Sequence, residues 1–176
     1  MERTEQEQTH RGGVPGSREE LEKLLQDYDT AVLVTRGTDG HFHARPMALQ
    51  KKRQATDELW FATWADTQKV DDLEHDDHCA LAFHSSDRSP TYVSVSGRAE
   101  LVRDKETIRR LWEPSWRPWF PKGPDEEDIA LIRFTPEHAE YVHPETGRLK
   151  VAFSTVKGLV TQKRPEPAPK KELDLH

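Results

Sequence analysis

Residues 91–102 read TYVSVSGRAELV, and their alternation decides the fold class. Val93, Val95, Ala99 and Leu101 fall on one face of an extended chain, and Tyr92, Ser94, Ser96 and Arg98 on the other. The pattern predicts a long strand with one buried face. Its other face is polar, which is unusual for a strand so central in the chain and points to a ligand crevice or a partner subunit on that side.

Strand signals continue on both sides. Upstream, AVLVTR (31–36) is rich in β-branched residues and runs into Gly37-Thr38-Asp39-Gly40, a turn signal, so His41 to Lys51 reads as the return strand of a hairpin. LWFATW (59–64) and CALAFH (79–84) are two further strands, separated by a short helix that Asp66 is placed to cap, with Val70 and Leu73 on its apolar side. Downstream, Ile129 to Phe134 and Ala139 to His143 read as strands, with Thr135-Pro136-Glu137 between them as a single helical turn.

Helices flank this run. Ser17-Arg18-Glu19-Glu20 fits a capping box, followed by Leu21, Leu24, Leu25 and Tyr28 at helical spacing. Asp104 starts a helix with Ile108, Leu111 and Trp112 on one face, and Leu149, Phe153, Val156 and Val160 predict a C-terminal helix. Six to seven mostly antiparallel strands with helices at the periphery make a mainly β fold, an antiparallel β-barrel, in contrast to an alternating βαβ sheet.

The length of 176 residues suits one domain. Residues 1–16 lack apolar periodicity, and 162–176 (QKRPEPAPKKELDLH) alternate charge and proline, so both read as solvated tails around a folded part at 17–161. The net charge of −6 argues against nucleic acid and anionic membrane as partners. The single cysteine, Cys79, excludes an internal disulfide. No apolar run reaches spanning length and no signal-peptide core follows Met1, so a cytoplasmic protein is expected.

Several residues carry possible chemistry. Thr67, Gln68 and Lys69 fall in the first turn of the short helix, where unpaired amides, a hydroxyl and an ammonium suit an anion; the alternative is that Lys69 solvates an exposed turn. Arg45 lies mid-strand among apolar residues and must find an anion, a backbone carbonyl or solvent, a structural ion pair being the plain solution. Pro46 cannot donate to a ladder, so its strand is bulged or at an edge there. Trp116 and Trp119 sit among prolines, placed to cover a planar ligand, anchor a dimer or plug the barrel end. His75-Asp76-Asp77-His78 reads as a solvated acidic patch ahead of a metal site. His41 and His43 share one side of a strand and, with His84, are the histidines a first-row metal or a haem would require. Ser94 and Ser96 lack the glycine-framed turn of a hydrolase nucleophile.

Four stretches in order resemble the general stress protein branch of the pyridoxamine 5′-phosphate oxidase-like split barrels. They are Ala44-Arg45-Pro46-Met47, LWFATW with Asp66-Thr67-Gln68-Lys69, Tyr92 to Gly97, and Trp116 to Pro124 with Leu131 to Tyr141. The resemblance implies a split barrel that binds FMN, with FAD possible, at the interface of a homodimer. It implies that Arg45, Pro46 and Met47 run along the flavin ring, and that Thr63, Trp64, Thr67, Gln68 and Lys69 hold the ribityl phosphate. It also implies that a tryptophan, Trp116 or Trp119, reaches the ring from the other subunit. The family's namesake oxidase carries a basic C-terminal motif, and here Arg148-Leu149 is followed by Lys150-Val151-Ala152, so that activity is not expected. A flavin-dependent oxidoreductase of stress type or a flavin-holding module remains. The alternatives are a deazaflavin-dependent reductase and a cofactor-free dimeric interaction protein.

Overall fold

The computed structural model describes residues 14–50, 58–85, 91–142 and 170–175. In chain order these form β1 (Val14–Pro15), α1 (Arg18–Gln26), β2 (Thr30–Arg36), β3 (Phe42–Ala48), β4 (Leu59–Trp64), α2 (Gln68–His75), β5 (His78–Ser85), β6 (Thr91–Val102), α3 (Lys105–Leu111), a 3-10 turn at Pro114–Trp116, β7 (Ile129–Val142) and β8 (Lys171–Asp174). The strands lie in the order β1-β8-β7-β6-β5-β2-β3, with β4 also on β7. All pairs are antiparallel except β1 with β8.

β7 organises the barrel. One edge pairs with β6 along most of its length, from Leu131 to Val142. The other edge is divided, Ile129–Phe134 going to β4 and His138–Tyr141 to β8. The Gln50 amide donates to Trp60 O at 3.1 Å, tying the end of β3 to β4 and drawing the sheet around.

The run IALIRF is apolar without alternation because the first half of β7 is covered on both faces. Ile132 and Phe134 join the main core with Leu33, Phe61, Leu81, Phe83 and Val95. Ile129 and Leu131 join a second cluster with Trp60, Ile108, Trp116 and Phe120 beneath α3. Burial of each such large side chain contributes about 1.5–3 kcal/mol.

The expected helical turn at Thr135-Pro136-Glu137 is absent, and β7 runs through it as strand. The ladder slips instead: Ser96 pairs with His138 and Gly97 with Pro136. The bulge accommodates a proline that cannot donate. It also requires glycine opposite, since a Cβ at Gly97 would come within 2.1 Å of Thr135 O. The helix expected over 149–160 lies outside the described residues.

The C-terminal stretch expected to be a solvated tail contains β8, and the N-terminal one contains β1. Leu173 and Leu175 stand two apart in the charged run and pack against the main core from one face of the strand. Tyr141 pins both ends of the chain here. Its hydroxyl donates to Glu20 Oε2 at 2.9 Å and accepts from the Ser17 amide at 3.1 Å, while Lys171 bonds Glu20 at 2.6 Å. Burial and the Glu20 carboxylate push the phenol up to about 12, so it stays protonated and donating. Tyr141→Phe strands two polar partners and should lower unfolding free energy by about 1–3 kcal/mol in chemical denaturation. A change below about 0.5 kcal/mol would show that the hydroxyl does not hold the termini.

Candidate functional site

α2 begins one residue later than the sequence suggests. Thr67, not Asp66, is the N-cap residue, with extended backbone before the helix starts at Gln68. Thr67 does not cap with its side chain; its hydroxyl donates back to Trp64 O at 2.9 Å. The Val70 amide donates to Thr67 O at 2.8 Å, and the Gln68 and Lys69 amides are left to another acceptor.

Lys69 turns back over this helix end and donates to Thr63 Oγ1 at 3.0 Å, and Thr63 Oγ1 lies 3.4 Å from Thr67 Oγ1. β4 supplies Thr63 at its C-terminal end, α2 supplies Thr67 and Lys69, and the connecting turn is fixed by the Ala65 amide on Asp128 O at 2.9 Å. Among the described residues no carboxylate pairs with Lys69. Burial, and then the nearby Arg45 charge, hold its ammonium below the usual lysine range. Two hydroxyls, helix amides and a partly desolvated cation thus converge on one cradle suited to an anion.

Arg45 takes the plain solution. Its guanidinium bonds Asp72 Oδ2 at 3.0 Å, Thr35 Oγ1 at 2.6 Å and His43 O at 3.0 Å. Pro46 is exposed on β3, the terminal strand of the sheet order, which satisfies the edge requirement read from its missing N–H. Met47 faces the main core, so only its backbone is presented outward. Trp64 is half-buried against Phe120, with ring centroids 4.9 Å apart. Gln68 is exposed at the helix start.

The two tryptophans separate. Trp116 is 4% exposed within the second core cluster, on the face of β4 and β7 opposite the main core, and donates Nε1 to Gln50 Oε1. Trp119 is 61% exposed and free of that core. The remaining candidates do not assemble. His43 bonds Asp72 through Nδ1, while His84 lies five residues further along the sheet than the Cys79 that shares its row, and stacks on Tyr92 at 4.4 Å. Asp76, Asp77 and His78 cluster, but His78 bonds Asp76 at 2.9 Å and Asp77 pairs with Arg98. Cys79 is buried, and burial followed by Asp77 and Asp76 pushes its thiol up to about 12, which makes it inert. A hollow of about 490 Å³ opens at the other end of α2, lined by Leu73, Asp77, Arg98, Arg103 and Thr135, where both arginines are already ion-paired.

Two features escaped the sequence reading. Asp72 was hidden in an acidic run that reads as solvated, yet it is buried. The second is how far the outer face of β6 continues: the exposed side read from residues 91–102 extends across β5, β2 and β3. Adjacent rows of the register are Ala44-Val34-Ala80-Ser96 and Pro46-Val32-Ala82-Ser94, and Phe42 beside them is 75% exposed. Side chains no larger than valine fill both rows.

The family described as "Pyridoxamine 5′-phosphate oxidase like" matches residues 16–166. The chain belongs to this family. Among members of known structure, the general stress FMN/FAD binding protein of Xanthomonas citri is 29% identical with a TM-score of 0.62, over 74% of this chain and 91% of that one. A Clostridium acetobutylicum protein related to general stress protein 26 of Bacillus subtilis shares the fold at 22% identity and a TM-score of 0.63, over 70% of this chain and 86% of that one. Protein bli-3 of Neurospora crassa is 26% identical over 153 residues, 82% of this chain and 73% of that protein. This pyridoxamine 5′-phosphate oxidase-like chain shares the split-barrel fold of these general stress proteins. No helix among the described residues is long and apolar enough to cross a membrane.

Proposed function

We propose that this protein binds FMN at the interface of a homodimer, as a flavoprotein of the general stress type. The observation that carries the reading is Lys69: a partly desolvated ammonium with no carboxylate partner among the described residues, set beside Thr63, Thr67 and the uncapped start of α2. That donor set fits a phosphomonoester. The FMN/FAD binding protein of Xanthomonas citri, similar over most of both chains, makes a flavin the natural bearer of the phosphate.

In this arrangement Thr63, Thr67, Gln68 and Lys69 hold the phosphate. The backbone of Arg45 to Met47, at the open edge of β3, runs beside the ring, with Trp64 near the ribityl chain. Trp119 reaches across from the second copy, and Trp116 supports it from the core. The flavin supplies redox chemistry when bound, and the chain supplies position and charge. The small-residue face of β3, β2, β5 and β6 is the surface on which the second copy docks.

The test is to purify the protein, denature it and identify the released chromophore by absorbance and mass. FMN is expected. A deazaflavin, or a colourless protein that takes up no added flavin, would overturn the reading.

A further inference from the structure

Asp72 lies on α2 three residues after Lys69, with its side chain 4% exposed. A single oxygen, Oδ2, accepts from Thr35 Oγ1 at 2.6 Å, His43 Nδ1 at 3.0 Å and Arg45 at 3.0 Å. We propose that Asp72 sets the charge of the anion cradle: by neutralising Arg45 it leaves Lys69 as the uncompensated cation and matches the cradle to a single phosphate group. Asp72 is thus a positioning residue for the proposed phosphate site, and the inference rests on that reading.

The charges around Arg45 come from three directions. From α2 come Asp72 and Lys69. From β3 comes His43, whose Nε2 faces Asp39 of the β2–β3 turn at 3.4 Å. From β2 comes the neutral Thr35. Arg45 is close enough to Lys69 to disfavour its charge, and Asp72 is its ion-pair partner. Burial alone would raise the Asp72 carboxyl, but its bonds from Thr35, His43 and Arg45 hold it below the usual range, so it is ionised near neutral pH. Asp72, Thr35 and the His43 carbonyl engage both terminal nitrogens of the Arg45 guanidinium, and in this proposal it acts on the ligand through the field.

The substitution Asp72→Asn keeps the shape and an acceptor but deletes the charge. In the flavin-free protein Lys69, followed by NMR of its ε-methylene, should titrate lower than in wild type. FMN affinity at low salt should rise about threefold against riboflavin, and the gain should fade at high salt. Thr35→Val breaks the same network without changing charge; it should lower stability and move neither readout. Arg45→Gln, which keeps the inference testable if Asp72→Asn does not fold, should do the opposite: Lys69 titrates higher and FMN affinity falls about threefold. An unmoved Lys69 in Asp72→Asn, an equal shift in Thr35→Val, or a loss of a hundredfold in Arg45→Gln would overturn the proposal, the last by making Arg45 a direct ligand. A shifted Lys69 with no flavin uptake by any variant supports the charge role and overturns the flavin reading instead.

Discussion

Lys69→Glu should reduce affinity for FMN by well over a hundredfold while leaving riboflavin binding nearly unchanged. The lysine lies on Thr63 Oγ1 at 3.0 Å and is already partly desolvated, so its charge-assisted bond to a phosphate is worth about 1.5–3 kcal/mol, or tenfold to a hundredfold. The glutamate then adds like-charge repulsion at short range, in a protein of net charge −6. Folding should suffer little, because an acid in the first turn of α2 suits the helix dipole and the substitution relieves the repulsion between Lys69 and Arg45. Titration of both ligands by flavin fluorescence separates the cases. An equal loss for riboflavin and FMN would mean that Lys69 supports the ring pocket or the fold, and the phosphate would have to sit elsewhere.

The elements were legible because their signals are local. Ser17 does cap α1, its hydroxyl accepting from the Glu20 amide at 3.2 Å, and Asp104 caps α3 on the Thr107 amide at 2.8 Å. The alternation of 91–102 translates directly into one buried and one exposed face. Local signals mislead where distant partners decide. Pro136 looks like a helix start by itself; only the slip of β6 at Ser96 and Gly97 lets a strand carry it. Lys171 to Leu175 looks like tail until β7 offers an edge and the core accepts two leucines. The cradle was legible because α2 and the end of β4 are adjacent in sequence. Its charge balance was not: Asp72 meets Arg45 across 27 residues. Trp116 and Trp119 are three residues apart and look alike in sequence, yet the 3-10 turn sends one into the core and leaves the other exposed. As Asp72 is held below the value it would have unfolded, the stability it contributes is present near neutral pH and is lost as pH falls through its folded value.

If the proposed homodimer forms on this face, Ala82→Glu should leave a monomer. Ala82 is exposed on β5, between Val32 and Ser94 in the register of the outer face. A two-fold contact is made of the same patch on both copies, so one substitution puts two carboxylates into it. Each loses hydration without a cation in its rows, since the nearest are Ala44-Val34-Ala80-Ser96 and Pro46-Val32-Ala82-Ser94. An unpaired charge in a dry contact costs several kcal/mol; a total of about 4 kcal/mol already shifts dissociation about a thousandfold. The separated chain should keep its fold, because the residue points away from both cores. Light scattering at micromolar concentration should therefore give twice the 20.3 kDa chain mass for wild type and the single mass for the variant, with circular dichroism unchanged. In the proposed arrangement Trp119 of the second copy is then lost from the site, so flavin should be released with the partner. A wild-type monomer that binds flavin stoichiometrically, or an Ala82→Glu variant that stays dimeric, would place the second copy on another surface.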